Sequence, residues 1–277
     1  MGINKEVWST IAEDNLFAKT PLITVADTSF EGELKYGNAV NVYTYPQGAV
    51  SIINYDGNTP ITTDRVKPST VKLLVDQAKA FALRVDSIDV IQNSPDTLMK
   101  NLDNVLQSMR EEIQEFLLTK IKTKVVTNVI NLSTLKLDKD NIVSLFEEIN
   151  IALDEANASK DRFVFVDPRT ASILRQAKLV EVFAVTNNGT VGPTNIYKFG
   201  DNIQVLESSL IKGDGTTIEF VAGTKDLINF VGQIETLESF KPEGYFGEAV
   251  KGLFVFGSEI FNEKKGVKLI FKDHKAL

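Results

Sequence analysis

The sequence contains no cysteine. Disulfides, thiolate metal sites and cysteine nucleophiles are excluded with it. It contains a single histidine, His274, close to the end of the chain. One imidazole cannot build a histidine-rich zinc or iron centre, and a Ser-His-Asp arrangement would have to run through that one side chain. No apolar run approaches the roughly 20 residues that a membrane helix needs. The first residues set Trp8 and Ile11 among Lys5, Glu6, Glu13 and Asp14. That is not the basic-then-apolar order of a secretory signal, so synthesis and residence in a cytoplasm are expected. Clustered positive charge is scarce as well. The densest group, Lys120-Ile-Lys122-Thr-Lys124, reads as the cationic last turn of a helix. With a net charge of −7, a basic arm that neutralises phosphates is not expected.

What is present is ordinary globular material. The chain has 277 residues, 43% hydrophobic and 24% charged, enough for one large or two modest domains around a sizeable core. Residues 1–38 read as an extended arm. Trp8, Leu16 and Phe17 are apolar, but too little surrounds them for a core of their own, so they pack on their own domain or dock on a neighbouring chain. Ala39-Val-Asn-Val-Tyr-Thr-Tyr45 has the β-branched and aromatic mix of a strand, and a second short run ends at Tyr55. Asp56-Gly-Asn-Thr-Pro60 is a turn signal. A strand returns at Val71 and is expected to continue through Ala78 to Phe81. The whole of 39–75 therefore reads as a hairpin-like excursion with a polar middle.

The strongest periodicity follows. Leu98, Leu102, Val105, Met109, Ile113, Phe116, Leu117 and Ile121 recur every three or four residues, which predicts a helix over 96–124, about 43 Å long at 1.5 Å per residue. Arg110, Glu111 and Glu115 fall on its solvated side. A second helix is predicted over 141–158, capped by Asp140, with Ile142, Leu145, Phe146, Ile149, Leu153 and Ala156 as its apolar stripe. Phe163-Val-Phe-Val166 is a continuous apolar run, as in a buried strand, and Asp167-Pro168 starts a further helix through Leu174. Strand-like runs recur at 203–206, 217–221, 227–231, 252–256 and 267–271. The last two flank a connection longer than a minimal hairpin loop. A compact α/β region is implied.

Nothing in these segments nominates a catalytic residue, a metal site or a cofactor. Asp138-Lys-Asp140-Asn141 opens like a calcium loop, but Val143 stands where the loop needs glycine, so a helix start fits better. Glu111-Glu112, Glu147-Glu148 and Asp154-Glu155 are adjacent pairs, which do not face each other on a helix, and read as solvated faces. Gly213-Asp-Gly215 is a tight turn rather than a dinucleotide loop. Tyr43, Tyr45 and Tyr55 could form a stacking platform for bases, but with little positive charge nearby they read as packing or subunit contacts.

The order of elements carries more information than any motif. Val75 to Gln92 places an alternating strand before two acids three apart and a glutamine: Lys79, Phe81, Asp86, Asp89 and Gln92. Asp161-Arg-Phe-Val-Phe-Val-Asp-Pro168 is an arginine-apolar-proline strand exit, and Gly257 follows Val255-Phe256. In this order the segments resemble the major capsid proteins of tailed bacteriophages, the Hong Kong 97 type fold. That resemblance implies an α+β fold with an N-terminal arm (1–38), an extended β-hairpin loop (39–75), a peripheral domain holding the long spine helix (76–139 and 235–277), and an α/β axial domain (140–234). It implies a structural protein, not an enzyme. Pentamers and hexamers of the one chain would close an icosahedral shell around double-stranded DNA, with scaffolding and portal proteins as further partners and no membrane. The shell would be the virion capsid, assembled in the bacterial host cytoplasm. Assembly contacts are expected at Trp8, Phe17, Tyr43, Tyr45, Tyr55, Asp56, Asn58, Arg110, Glu111 and Glu115. An encapsulin-type bacterial nanocompartment shell is the nearest rival, and a cytoplasmic α/β enzyme is the rival of another class.

Overall fold

Apolar runs, turn signals and one long helical stripe together lay out the elements in chain order. The structure, a computed structural model, describes residues 20–29, 39–44, 54, 69–86, 97–177, 180–182, 186–187, 190–191, 196–199, 203–244 and 247–274. It opens on one turn of helix, α1 (Pro21–Thr24), where Pro21 supplies a preset φ at the first turn. Strands β1 (Ala39–Thr44) and β2 (Ser69–Leu74) follow, then β3 (Gln77–Asp86). After the long helix α2 (Thr97–Lys124) come β4 (Val129–Leu132), α3 (Ile142–Glu155), β5 (Arg162–Val166) and α4 (Pro168–Gln176). Short strands β6 (Val180–Val182), β7 (Thr186–Asn187), β8 (Thr190–Val191) and β9 (Ile196–Phe199) lead to β10 (Ile203–Glu207), β11 (Thr217–Thr224), β12 (Ile228–Phe240), β13 (Gly247–Ile260) and β14 (Gly266–Lys272).

Seven strands form one mixed sheet in the order β4-β14-β11-β5-β10-β9-β6. Its centre is β5, where every residue from Arg162 to Val166 is buried. A strand covered on both faces needs apolar side chains at successive positions, and Phe163-Val-Phe-Val166 supplies them. The parallel pair β5 and β10 is bridged by a crossover that contains α4, as parallel strands require. Asp167 caps α4, accepting from the backbone N–H groups of Arg169 and Thr170.

A second, antiparallel sheet has the order β12-β13-β3. A bulge between Ile234 and Thr236 adds a residue to β12. Helix α2, 28 residues and about 42 Å long, packs on this sheet and on β11. Leu102, Leu106, Met109, Ile113, Leu117, Leu118 and Ile121 are buried along it and belong to one core with both sheets. Leu22, Ile23, Val25 and Ala26 join that core, and the backbone of Asp27 pairs with Ile228 and Phe230. Residues 20–29 of the expected arm are therefore packed on the body of their own chain.

Several expectations change. The strand predicted to run unbroken from Val71 to Phe81 is two strands, separated at Val75 and Asp76, because β2 pairs with β1 whereas β3 pairs with β13. Asp140 does not cap the second helix. The Asp138 carboxylate accepts from the N–H groups of Asp140 and Asn141, and the Asn141 side chain bonds back to Asp138 N–H and Lys136 O. The helix ends at Glu155, not at 158. The runs at 252–256 and 267–271 are not partners: β13 lies in the three-stranded sheet and β14 in the seven-stranded one. A 3-10 turn, Glu263–Lys265, makes the switch, and Asn262 caps it. The seven-stranded sheet also joins segments on either side of residues 139/140 and 234/235, since β4 and β14 pair with each other and β14 with β11.

Candidate assembly surfaces

The surfaces available for contact are set by what the core leaves out. On α2 the solvent side presents Glu111 and Glu115, one turn apart, with half-buried Arg110 beside them. Glu112, on the same side, accepts from Lys79 Nζ on β3 at 2.7 Å, which ties the helix to the sheet edge. The cationic end of the helix also has a partner: Lys120 and Lys124 both approach Glu259 on β13, at 3.6 and 3.3 Å. A buried polar link runs the other way, from Gln114 Nε2 to Ser208 Oγ at 2.7 Å, at the end of β10.

Tyr43 lies on β1, opposite Thr70. Trp8, Phe17, Tyr45, Tyr55, Asp56 and Asn58 lie outside the described residues, as do Asp89 and Gln92. Of the remaining contact expectations, Glu111 and Glu115 share the exposed face of α2, whereas Arg110 is half-buried beside the apolar stripe. Exposed apolar side chains not singled out from the sequence include Val126 just after α2, Val129 on β4, Leu74 on β2 and Ile151 on α3, the last two exposed by 51% and 56%, and Phe240 at the far end of β12. Ile151 sits one turn beyond Glu147 and two beyond Val143, itself 37% exposed. The signal for it was available: an isoleucine opposite the buried stripe of an amphipathic helix.

Polar clusters in the body serve the fold. The Arg162 guanidinium is buried and donates to Asn150 O, Asn150 Oδ1 and the Asp154 carboxylate. Asp154, expected on a solvated face, thus secures a buried cation. Hydrogen bonds from Lys160 and Arg162 hold its carboxyl below the ordinary value. In the turn at Gly213-Asp-Gly215, Asp214 accepts from Thr216 and Thr217 N–H, which lowers its pKa, and Gly215 takes a φ of 92° that suits glycine.

His274 is not the stray terminal residue its position suggested. Its Nε2 lies 3.1 Å from Thr170 Oγ1 and 3.6 Å from Asp167 Oδ1. Burial pushes the Asp167 carboxyl up, but hydrogen bonds with His274 and Thr170 outweigh it and leave the group below its ordinary value. This is not a nucleophile relay, which needs the hydroxyl and the acid on opposite ring nitrogens. Here both face Nε2. The cluster joins the end of β14 to the start of α4.

No family model matches the sequence, and no curated protein does either. Solved structures match across nearly the whole chain. A structure from Mycobacterium phage Che8 is 21% identical and superimposes with a TM-score of 0.65, covering 91% of each chain. The capsid structure of cyanophage P-SCSP1u is 12% identical, with a TM-score of 0.64 over 87% of this chain and 85% of that one. The chain has the fold of phage capsid proteins. The capsid fold extends to the holo-SrpI encapsulin complex of Synechococcus elongatus PCC 7942, 10% identical, with a TM-score of 0.60 over 97% of this chain and 95% of that one. At such identities the likeness concerns the path of the chain, not its chemistry.

Proposed function

We propose that this chain is the major capsid protein of a tailed bacteriophage, a structural subunit and not an enzyme. Pentamers and hexamers of it close an icosahedral shell around double-stranded DNA in the virion, after assembly in the host cytoplasm. The observation that carries this reading is the match of 91% and 87% of the chain to a structure from a phage and to a phage capsid structure. The physical properties suit the task. A shell subunit needs broad lateral surfaces that accept both five-fold and six-fold neighbours. The net charge of −7 keeps packaged DNA from being trapped on the shell, so DNA is enclosed without sequence-specific binding. In this reading residues 1–38 are the arm, 39–75 the extended loop, 76–139 with 235–277 the peripheral domain and 140–234 the axial domain. The contacts between subunits draw on Trp8, Phe17, Tyr43, Tyr45, Tyr55, Asp56, Asn58, Arg110, Glu111 and Glu115. Scaffolding and portal proteins are the other partners.

A second reading has its own support, the match to an encapsulin over 97% of the chain: a nanocompartment shell that encloses protein cargo. One experiment addresses both. The chain is expressed alone and with candidate scaffolding proteins, and the products are examined by particle mass and negative-stain electron microscopy. Rings of five or six, or closed shells, are the expected result. A stable monomer or dimer under every condition overturns the shell function. Shells whose contents are enzymes rather than DNA select the second reading.

A further inference from the structure

Among the described residues, the ribbon of β1 and β2 is held to the body by a small apolar cluster. A two-stranded ribbon is marginal in water without something to pack on. Leu73 and Val75, both fully buried, meet Val231 of β12 and Val255 of β13 in a small cluster of their own. That cluster lies on the opposite face of the three-stranded sheet from α2, because Phe230, Phe254 and Phe256, at alternate positions on the same strands, belong to the main core. Between the two buried side chains, the Leu74 carbonyl enters the space above Gly257. A Cβ at Gly257 would stand 2.0 Å from Leu74 O, 2.9 Å from Leu74 C and 3.0 Å from Val75 Cα. All three are backbone atoms, which cannot turn aside as a side chain could. Gly257 lies within strand β13, so its requirement is for space and not for an unusual conformation. Immediately afterwards, at Gln77, the chain drops into the sheet as β3 beside β13.

We infer that Gly257 and the Leu73–Val75 pair form a keyed socket that fixes the β1–β2 ribbon to the body and sets the direction in which it leaves. Gly257 is a positioning residue: it acts through the backbone of Leu74. The socket is a property of the single chain, whether or not that chain assembles.

Hydrogen exchange on the full-length, unassembled chain tests this. Gly257→Ala fills the socket, and Leu73→Ala empties it without a clash. Both variants are expected to speed exchange of the paired amides in 39–44 and 70–74 by roughly tenfold or more, while the amides of Thr97–Lys124 keep their protection, since local opening draws on local contacts. If Gly257→Ala fails to fold, Leu73→Ala carries the measurement. Unchanged protection of the ribbon in the folded variants overturns the inference. So does an equal loss of protection in the long helix, because the glycine would then belong to the common core rather than to a separate anchor.

Discussion

The two larger sheets among the described residues are closed against water to different degrees. In the seven-stranded sheet, β5 is buried at every position and β11 from Phe220 to Thr224. In the three-stranded sheet, α2 packs on one face, whereas among the described residues the other face is covered by the ribbon at Val231 and Val255. On that open face Ala78, Ala80, Ala82 and Arg84 of β3 are exposed, and β12 ends in Glu238, Ser239 and Phe240, all exposed. The middle of one sheet has an interior on both sides; the other sheet has an interior and a surface. Stability should therefore concentrate in the first, and tolerance of change in the second.

Substitutions can break this contrast. The largest effect is expected at Phe165, fully buried in β5: Phe165→Ala should cost about 3–5 kcal/mol in urea unfolding of the soluble chain. Phe240→Ala, at the open end of β12, should stay within about 0.5 kcal/mol. Similar losses at the two sites would mean the open face is covered after all. Next comes the link between the helix and the end of β10. Gln114→Ala should cost about 1–3 kcal/mol, and Ser208→Ala in the same background should add less than it costs alone, since the two side chains share one hydrogen bond.

Asp167→Ala removes the cap of α4 and should cost about 1 kcal/mol near neutrality. Its pH dependence has a definite sign. The folded pKa lies below the ordinary value of 3.8, so the ionised group's contribution is complete above that value and is lost as pH falls through the folded pKa. The gap between wild type and variant should narrow in that acid window; a gap independent of pH would show that the carboxylate charge contributes nothing. A small effect is also expected for Lys79→Ala. Its ion pair with Glu112 is largely exposed, and such pairs contribute about 0.2–1 kcal/mol. Thermal melts at low and high salt should show the difference shrinking as salt rises.

Much of the body was legible in the residue pattern. The stripe from Leu102 to Ile121 placed the long helix to within a residue of its observed start and at its observed end, because a helix that buries one face must repeat at 3.6. Phe163-Val-Phe-Val166 announced a strand covered on both sides, and Asp167-Pro168 announced the next helix. The lengths of β12 and β13 were not legible. Their outer halves hold only one apolar face, so residues such as Glu238 and Lys251 interrupt the apolar run while remaining in register with a partner strand. Of the expected contact residues, the pattern of α2 made Glu111 and Glu115 readable as a solvated face, but not the half-burial of Arg110. The burial of His274 was not readable, since its partners Asp167 and Thr170 lie more than a hundred residues away.

By itself the sequence determined most of the local structure of the protein. Without cysteine, with one histidine and with no clustered base, it ruled out whole chemistries, and its periodicities fixed the type and order of most elements, because local burial patterns follow from the geometry of one helix or one strand. The tertiary structure alone decided which strand pairs with which. That β13 and β14 part into different sheets, that β2 and β3 are separate, and that Leu74 needs a glycine at position 257 all depend on contacts between residues far apart in the chain, which no local period encodes.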